Sequence, residues 1–221
     1  MNATNREASS PMENKRRSYV IIATCLAITV VIGFVVILFP LNGAESDIIS
    51  NLQSLAQQTV GIGFFSVVTY LGDFYLLAAF SAIFLIYAYF KSPKWLNTSK
   101  QLMGFLILVN VSTLLLKIAF ARPRPSGANF VFYGQEDSFS YPSGHVSRTT
   151  GTFIILSGDR STFKIILILT AGLLVSLSRV ILGVHYLTDT IGAVFLSLSM
   201  DETTKLAVSS LNRPLIRNRR I

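Results

Sequence analysis

Long apolar runs alternate with short polar stretches along the chain. Tyr19 to Leu41 is an uninterrupted apolar run, and further runs cover about 67–90, 101–120, 144–157, 163–184 and 186–200. A helix needs about 20 apolar residues to cross the hydrocarbon of a bilayer. Four runs reach or exceed that length, and 186–200 falls somewhat below it. The 144–157 run is shorter, so it is expected either to extend to Phe163 or to be shielded by its neighbours. Between the first two runs, Ile48, Ile49, Leu52 and Leu55 recur at helical spacing among Ser, Asn and Gln. That pattern predicts an amphipathic helix over 45–58, lying on the membrane surface. The ends of the chain are polar. The expected organisation is a disordered tail over 1–18, a membrane domain over 19–204 and a basic tail over 205–221.

Composition agrees with this pattern. Of 221 residues, 51% are hydrophobic and 14% are charged, with a mean hydropathy of +0.55. A soluble domain carries roughly a quarter charged residues. The chain is therefore read as an all-α bundle of six transmembrane helices. Its first run is longer than the roughly 7–15-residue core of a signal peptide. Asn42-Gly43-Ala44 is a poor cleavage site, so the first run is taken as a retained span. Cys25, the one cysteine, is expected to be a small buried side chain.

The net charge of +8 would suggest nucleic acid in a soluble protein. Here the placement of the charges points to topology instead, with no nucleic-acid partner. With both termini in the cytoplasm, the cytoplasmic segments hold Arg6, Lys15, Arg16, Arg17, Lys91, Lys94, Lys100, Arg160, Lys164 and five basic residues of the tail. That is the positive-inside pattern of a multi-pass plasma-membrane protein. Five cations fall on the other side: Lys117, Arg122, Arg124, Arg148 and Arg179. They break the rule, and ionisable groups at a membrane edge are functional suspects.

These cations belong to three clusters. The first runs from Lys117 to Arg122-Pro123-Arg124-Pro125, the second is Tyr141-Pro142-Ser143-Gly144-His145, and the third runs from Ser178-Arg179 through His185 to Asp189. Arginine forks and a lysine suit phosphate oxygens. A Ser-Gly turn opening a helix presents free N–H groups to an anion. Gly183, two residues before His185, is read as a helix break that turns the chain from the fifth run to the sixth, and a helix through His185 and Asp189 places the two on one face. Asp189 would then orient His185 for attack on phosphorus and leave His145 as general acid. Nothing resembles a metal-binding motif, so no metal or other cofactor is expected.

The three clusters resemble the signature of the type-2 phosphatidic acid phosphatases: K-x6-R-P, P-S-G-H and S-R-x5-H-x3-D. Lys117 through Arg124-Pro125, Pro142 through His145, and Ser178-Arg179 through His185 to Asp189 match it at every fixed position. The resemblance implies a metal-independent phosphatase with a phosphohistidine intermediate. It implies His185 as nucleophile, Asp189 as its partner, His145 as acid, and Lys117, Arg124, Ser143, Gly144 and Arg179 as phosphate ligands. Arg122 and Arg148 lie outside the signature. They are expected either to contact a second phosphate or to pair with Glu136 or Asp137.

The expected activity is removal of a phosphate from a membrane lipid phosphate or diphosphate at the extracytoplasmic face. The resemblance points to undecaprenyl diphosphate, phosphatidylglycerol phosphate or phosphatidic acid. The diphosphate ranks first because Arg122 and Arg148 add positive charge. Two alternatives stand beside it. One is a lipid phosphotransferase using the same site. The other is a lipid or anion transporter, which would need charge running through the membrane rather than gathered at one end of the spans.

Overall fold

The computed structural model describes residues 11–39, 42–125, 139–158 and 161–211. Eight helices occupy most of it: α1 (Pro11–Leu38), α2 (Asn42–Gln58), α3 (Ile62–Val68), α4 (Phe74–Phe90), α5 (Leu96–Phe120), α6 (Gly144–Ser157), α7 (Thr162–Ile181) and α8 (Leu187–Leu211). Short 3-10 turns, Thr69–Gly72 and Pro93–Trp95, precede α4 and α5. Among the described residues there is no strand. A single bridge pairs Pro123 with Phe139, and Ser140 N–H donates to the Arg122 carbonyl at 2.8 Å. The fold class is all-α, as the apolar pattern predicts.

Three helices are long and apolar enough to cross a membrane: Met12–Leu38, Pro93–Phe120 and Thr162–Ile181. Ile62–Gly72 and Phe74–Phe90 make a fourth if the pair, bent by 42°, is counted as one span. The bend has a local cause. Asp73 caps α4, its Oδ1 accepting from the Leu76 N–H at 2.9 Å, so a new helix starts inside what the sequence pattern suggests is a run-in to one span. α6 has 14 residues, too few to span alone, and α8 carries Asp189, Asp201, Glu202 and Lys205.

The short α6 is enclosed. It packs against α5, α7 and α8, and most of its residues are buried. Gly151 admits the Phe105 ring where a Cβ would collide with it. The first ten residues of α6 can therefore carry Ser147, Arg148, Thr149, Thr150 and Thr152 in a buried interior. Ser147 Oγ returns to the Ser143 carbonyl at 3.0 Å, and Ser197 Oγ reaches the Ser147 carbonyl at 2.8 Å. Leu102, Phe105, Leu106, Val109, Ile155, Leu196 and Met200 close the core between α5, α6 and α8.

Two boundaries differ from expectation. α1 begins at Pro11, so residues 11–18 continue the first helix rather than forming a tail. Ser18 is buried, and its hydroxyl donates to Glu202 Oε2 at 2.7 Å. α8 likewise runs past 204 to Leu211. Arg6, Arg160 and the tail arginines lie outside the described residues. The amphipathic helix appears as α2, with Ile49 buried against Val180 and Tyr186 while Ile48 and Leu55 remain exposed.

Candidate active site

Hydrogen bonds link the three sequence clusters at one end of the bundle. Lys117, in the last turn of α5, donates to the Phe139 carbonyl at 2.8 Å, just before the second cluster. Arg124 donates to the Val184 carbonyl at 2.8 Å, tying the first cluster to the third. The Ser143 N–H donates to the Asp189 carbonyl at 3.1 Å, tying the second to the third. Arg179 donates to Thr69 Oγ1 at 2.9 Å, and its carbonyl accepts from the Val184 and His185 N–H groups. Lys117, Arg124 and Arg179 all lie close enough to both His145 and His185 to act on them electrostatically. The structure thus brings together every signature residue expected at the site.

Tyr141 anchors the second cluster. It is fully buried, donates to the Thr29 carbonyl, and meets the Phe120 ring edge-on with centroids 5.4 Å apart. Gly192 leaves room for its ring. Ser143 then begins α6. Its hydroxyl, fully buried, makes no hydrogen bond among the described residues. A buried polar group without a partner is costly, and at a helix N-terminus it suits an incoming anion. A Cβ on Gly144 would approach Arg148 Nη1 to 3.1 Å, so glycine keeps this entrance open.

His185 does not stand on a helix with Asp189, contrary to the sequence reading. α7 ends at Ile181, and Gly183 adopts φ +68°, a conformation that favours glycine, so the chain breaks before His185. α8 starts two residues beyond His185, and Asp189 lies in its first turn. There Asp189 Oδ2 accepts the Tyr186 N–H at 2.9 Å, the reach-back of a third-position carboxylate to the residue before the helix. The same oxygen is 3.4 Å from His185 Nδ1. That distance would make an ion pair only with the ring protonated, and the alignment does not make a hydrogen bond. Burial foremost, then Arg124, Arg179, Lys117 and His145, holds the His185 imidazole well below its usual pKa. It is therefore neutral near pH 7.

Arg122 and Arg148, expected either to contact a second phosphate or to pair with a carboxylate, both have protein partners. Arg122 is 1% exposed. Its Nη1 donates to Asp189 Oδ1 at 2.6 Å and to Thr188 Oγ1 at 2.7 Å, its Nη2 donates to Glu45, and its guanidinium lies 4.0 Å from the Tyr186 ring centroid. Arg148 donates to the Gly72 carbonyl at 2.8 Å, to Asn110 Oδ1 at 2.9 Å and toward His145 Nδ1 at 3.3 Å. Both guanidiniums are spent on internal acceptors beside the catalytic candidates. The other expected partners, Glu136 and Asp137, lie outside the described residues. Sequence reasoning missed Glu45, Asn110 and Gly72. Glu45 carried one signal, a carboxylate in the first turn of a helix that has no Lys or Arg. Among the described residues no three His, Cys, Asp or Glu side chains gather as a metal site.

The PAP2 superfamily profile matches residues 98–208, half of the chain. No curated protein sequence matches it. Two solved structures share the fold. A transmembrane PAP2-type phosphatidylglycerolphosphate phosphatase from Bacillus subtilis aligns with a TM-score of 0.73 at 22% identity, covering 87% of this chain and 98% of its own. LpxE of Aquifex aeolicus aligns with a TM-score of 0.57 at 20% identity, covering 72% of this chain and 93% of its own.

Proposed function

The chain belongs to the PAP2 superfamily, and on that premise we propose that it is an integral membrane lipid phosphatase working through a phosphohistidine. One observation carries the reading. Three segments distant in sequence place two histidines, three cations and the start of α6 in one polar site. In the proposed topology both termini are cytoplasmic, six spans cross the plasma membrane, and the site faces outward. The domain spans 19–204 in this reading, with the helical extensions at either end projecting into the cytoplasm. The gathering of cations at one end of the bundle favours this over a transport path.

Lys117, Arg124, Arg179, the Ser143 hydroxyl and the N–H groups opening α6 hold the phosphate. Asp189 faces Nδ1 of His185, which leaves Nε2 to attack phosphorus. The P–O bond to the lipid breaks, and protonated His145 gives its proton to the departing oxygen. Water, losing a proton to His145, then splits the P–N bond and releases inorganic phosphate. Cations aimed at the charge developing on phosphorus supply the largest stabilisation. Neither step calls for a divalent metal.

A phosphate monoester takes first place over a diphosphate as substrate. The diphosphate ranking rested on Arg122 and Arg148, and both are engaged by protein acceptors. Residues 126–138 contain no Lys or Arg to replace them. Three cations around one phosphate match a lipid phosphate monoester such as phosphatidylglycerol phosphate or phosphatidic acid.

The test is phosphate release by purified protein in detergent and chelator, supplied with a panel of lipid phosphates and diphosphates. Turnover is expected without divalent metal, absent in His185→Ala and severely reduced in His145→Ala. Full activity in His185→Ala overturns the mechanism, and a strict magnesium requirement overturns its metal-free form. Phosphoryl transfer to added alcohols in place of water would favour the phosphotransferase reading.

A further inference from the structure

Glu45 belongs to none of the three motifs, yet it is joined to the third. It lies in the first turn of α2 and is 5% exposed. Its Oε1 accepts from the Thr188 N–H at 3.0 Å and the Thr188 hydroxyl at 2.8 Å, and its Oε2 accepts from Arg122 Nη2, 77 residues away. Arg122 passes the connection on, donating to Asp189 Oδ1 at 2.6 Å, and Asp189 faces His185. Burial makes the charge count matter, because such groups are weakly screened. Glu45 and Asp189 are negative and Arg122 is positive, so the buried group keeps one net negative charge. Without Glu45, Arg122 would cancel Asp189. His185 would then face Lys117, Arg124 and Arg179 with no net counter-charge beside it.

We propose that Glu45 is a positioning residue of this site: it offsets Arg122, so that Asp189 keeps its negative charge toward His185. That charge favours the positively charged imidazole that forms when the ring bonds to phosphorus. The inference rests on the phosphatase reading above. It also ties the surface helix α2 to the nucleophile, since Gln53 of the same helix donates to the Ile181 carbonyl at 2.8 Å where α7 ends. The charged and titratable groups around the pair are Lys117 from α5, Arg124 from the chain after it, His145 and Arg148 from α6, Arg179 from α7, and Tyr186 stacked on Arg122.

A purely structural Glu45, stapling α2 to the start of α8, makes different predictions. The experiment measures kcat, KM and the pH profile for a short-chain phosphatidic acid in detergent and chelator. It compares the wild type with Glu45→Gln, Glu45→Asp, the double variant Glu45→Gln/Arg122→Gln, and His185→Ala. Glu45→Gln is expected to lower kcat about tenfold with KM little changed, and to move the acid limb of kcat/KM to lower pH. Comparing enzymes on one substrate cancels the substrate's own ionisation. The double variant restores the charge count and is expected to exceed Glu45→Gln in kcat. Glu45→Asp keeps the charge and is expected to keep the wild-type pH profile, which serves as the test if the glutamine variant does not fold. A double variant no better than Glu45→Gln, or a displaced profile in Glu45→Asp, overturns the inference. Full activity in His185→Ala instead overturns the phosphatase reading beneath it.

Discussion

Arg148 donates from Nη2 toward Nδ1 of His145 at 3.3 Å. A guanidinium has no acceptor, so in this arrangement Nδ1 lacks a proton and the neutral ring carries its one proton on Nε2; the imidazolium that acts as acid forms once an anionic phosphate offsets the cations around it. The other two donations of Arg148, to the Gly72 carbonyl and Asn110 Oδ1, fix the guanidinium against the ring. Arg148 thus sets the plane of His145 and the nitrogen it presents to substrate.

Replacing Arg148 by Met therefore loosens His145 without removing a phosphate ligand. Turnover is expected to fall about tenfold or more, with KM for a lipid phosphate nearly unchanged. Arg148→Lys is not expected to rescue it, since an ammonium cannot hold the three acceptors in one plane. Steady-state kinetics in detergent decides the point. A large rise in KM at unchanged kcat would make Arg148 a phosphate ligand after all.

Gly72 is where the 3-10 turn before α4 touches the start of α6. A Cβ there would lie 2.6 Å from the His145 carbonyl oxygen and 2.9 Å from its carbonyl carbon and Cα. These are backbone atoms, so no rotamer change relieves the clash. Gly72→Ala is expected to cost about 1–3 kcal/mol of stability and to lower activity by displacing the carbonyl that holds Arg148. Gly43→Ala, where a Cβ meets nothing within 4 Å, is the control expected to change neither. Thermal unfolding and phosphate release on both variants test this.

Much of the site could be read from the sequence because the three motifs are local strings. Each cation or histidine in them sits at a fixed offset from a proline, a glycine or the end of an apolar run. The all-α fold followed from the same runs. The connections of Arg122 and Arg148 could not be read that way, since their partners Glu45 and Gly72 are 77 and 76 residues distant and meet them only through tertiary packing. The only local hint was that both arginines stood on the sparsely charged side with no motif to explain them. The break at Gly183 was readable, since glycine lets the chain turn from one apolar run to the next. Periodicity did not show that α8 starts only at Leu187, beyond His185, where Asp189 reaches back to the Tyr186 N–H.

Arg122 separates two buried carboxylates, Glu45 and Asp189, which are 5% and 0% exposed. Removing it leaves both charges buried without their shared counter-ion. Breaking a buried pair in this way costs about 3–5 kcal/mol. Arg122→Gln alone is expected to unfold at markedly lower temperature than the wild type. Adding Glu45→Gln is expected to recover part of that loss. Melting curves of the purified variants measure both, and an unchanged melting temperature in Arg122→Gln would contradict the pairing.

Stability should also depend on pH through His185. Its imidazole is held below the usual value of 6.5, chiefly by burial and then by Arg124, Arg179 and Lys117. In the unfolded chain it takes up a proton near pH 6.5. Below that pH the unfolded state binds a proton the folded state refuses, so stability falls as pH drops. Above it neither state is protonated, and this contribution is fully present. The melting temperature is expected to decline between about pH 7 and pH 5.5, with a shallower decline in His185→Asn. Equal slopes for the two proteins would show that another group controls the acid side.

The six-span topology has its own test, and the sequence makes it convenient. Cys25 is the sole cysteine, so Cys25→Ser gives a background without thiols. Lys94, in the basic turn between α4 and α5, is exposed, and so is Gln58 at the end of α2. With cytoplasmic termini, the turn holding Lys94 lies inside and α2 lies outside. A membrane-impermeant maleimide on intact cells is then expected to label Gln58→Cys and to miss Lys94→Cys until the membrane is opened. The active site is on the α2 side, since Glu45 joins that helix to Arg122 and Thr188. Labelling of Lys94→Cys in intact cells would turn the protein over and move phosphate release to the cytoplasmic face. The positive-inside bias argues for the first outcome, because Lys91, Lys94 and Lys100 share a side with Lys15, Arg16 and Arg17, and the side richer in cations is the cytoplasmic one.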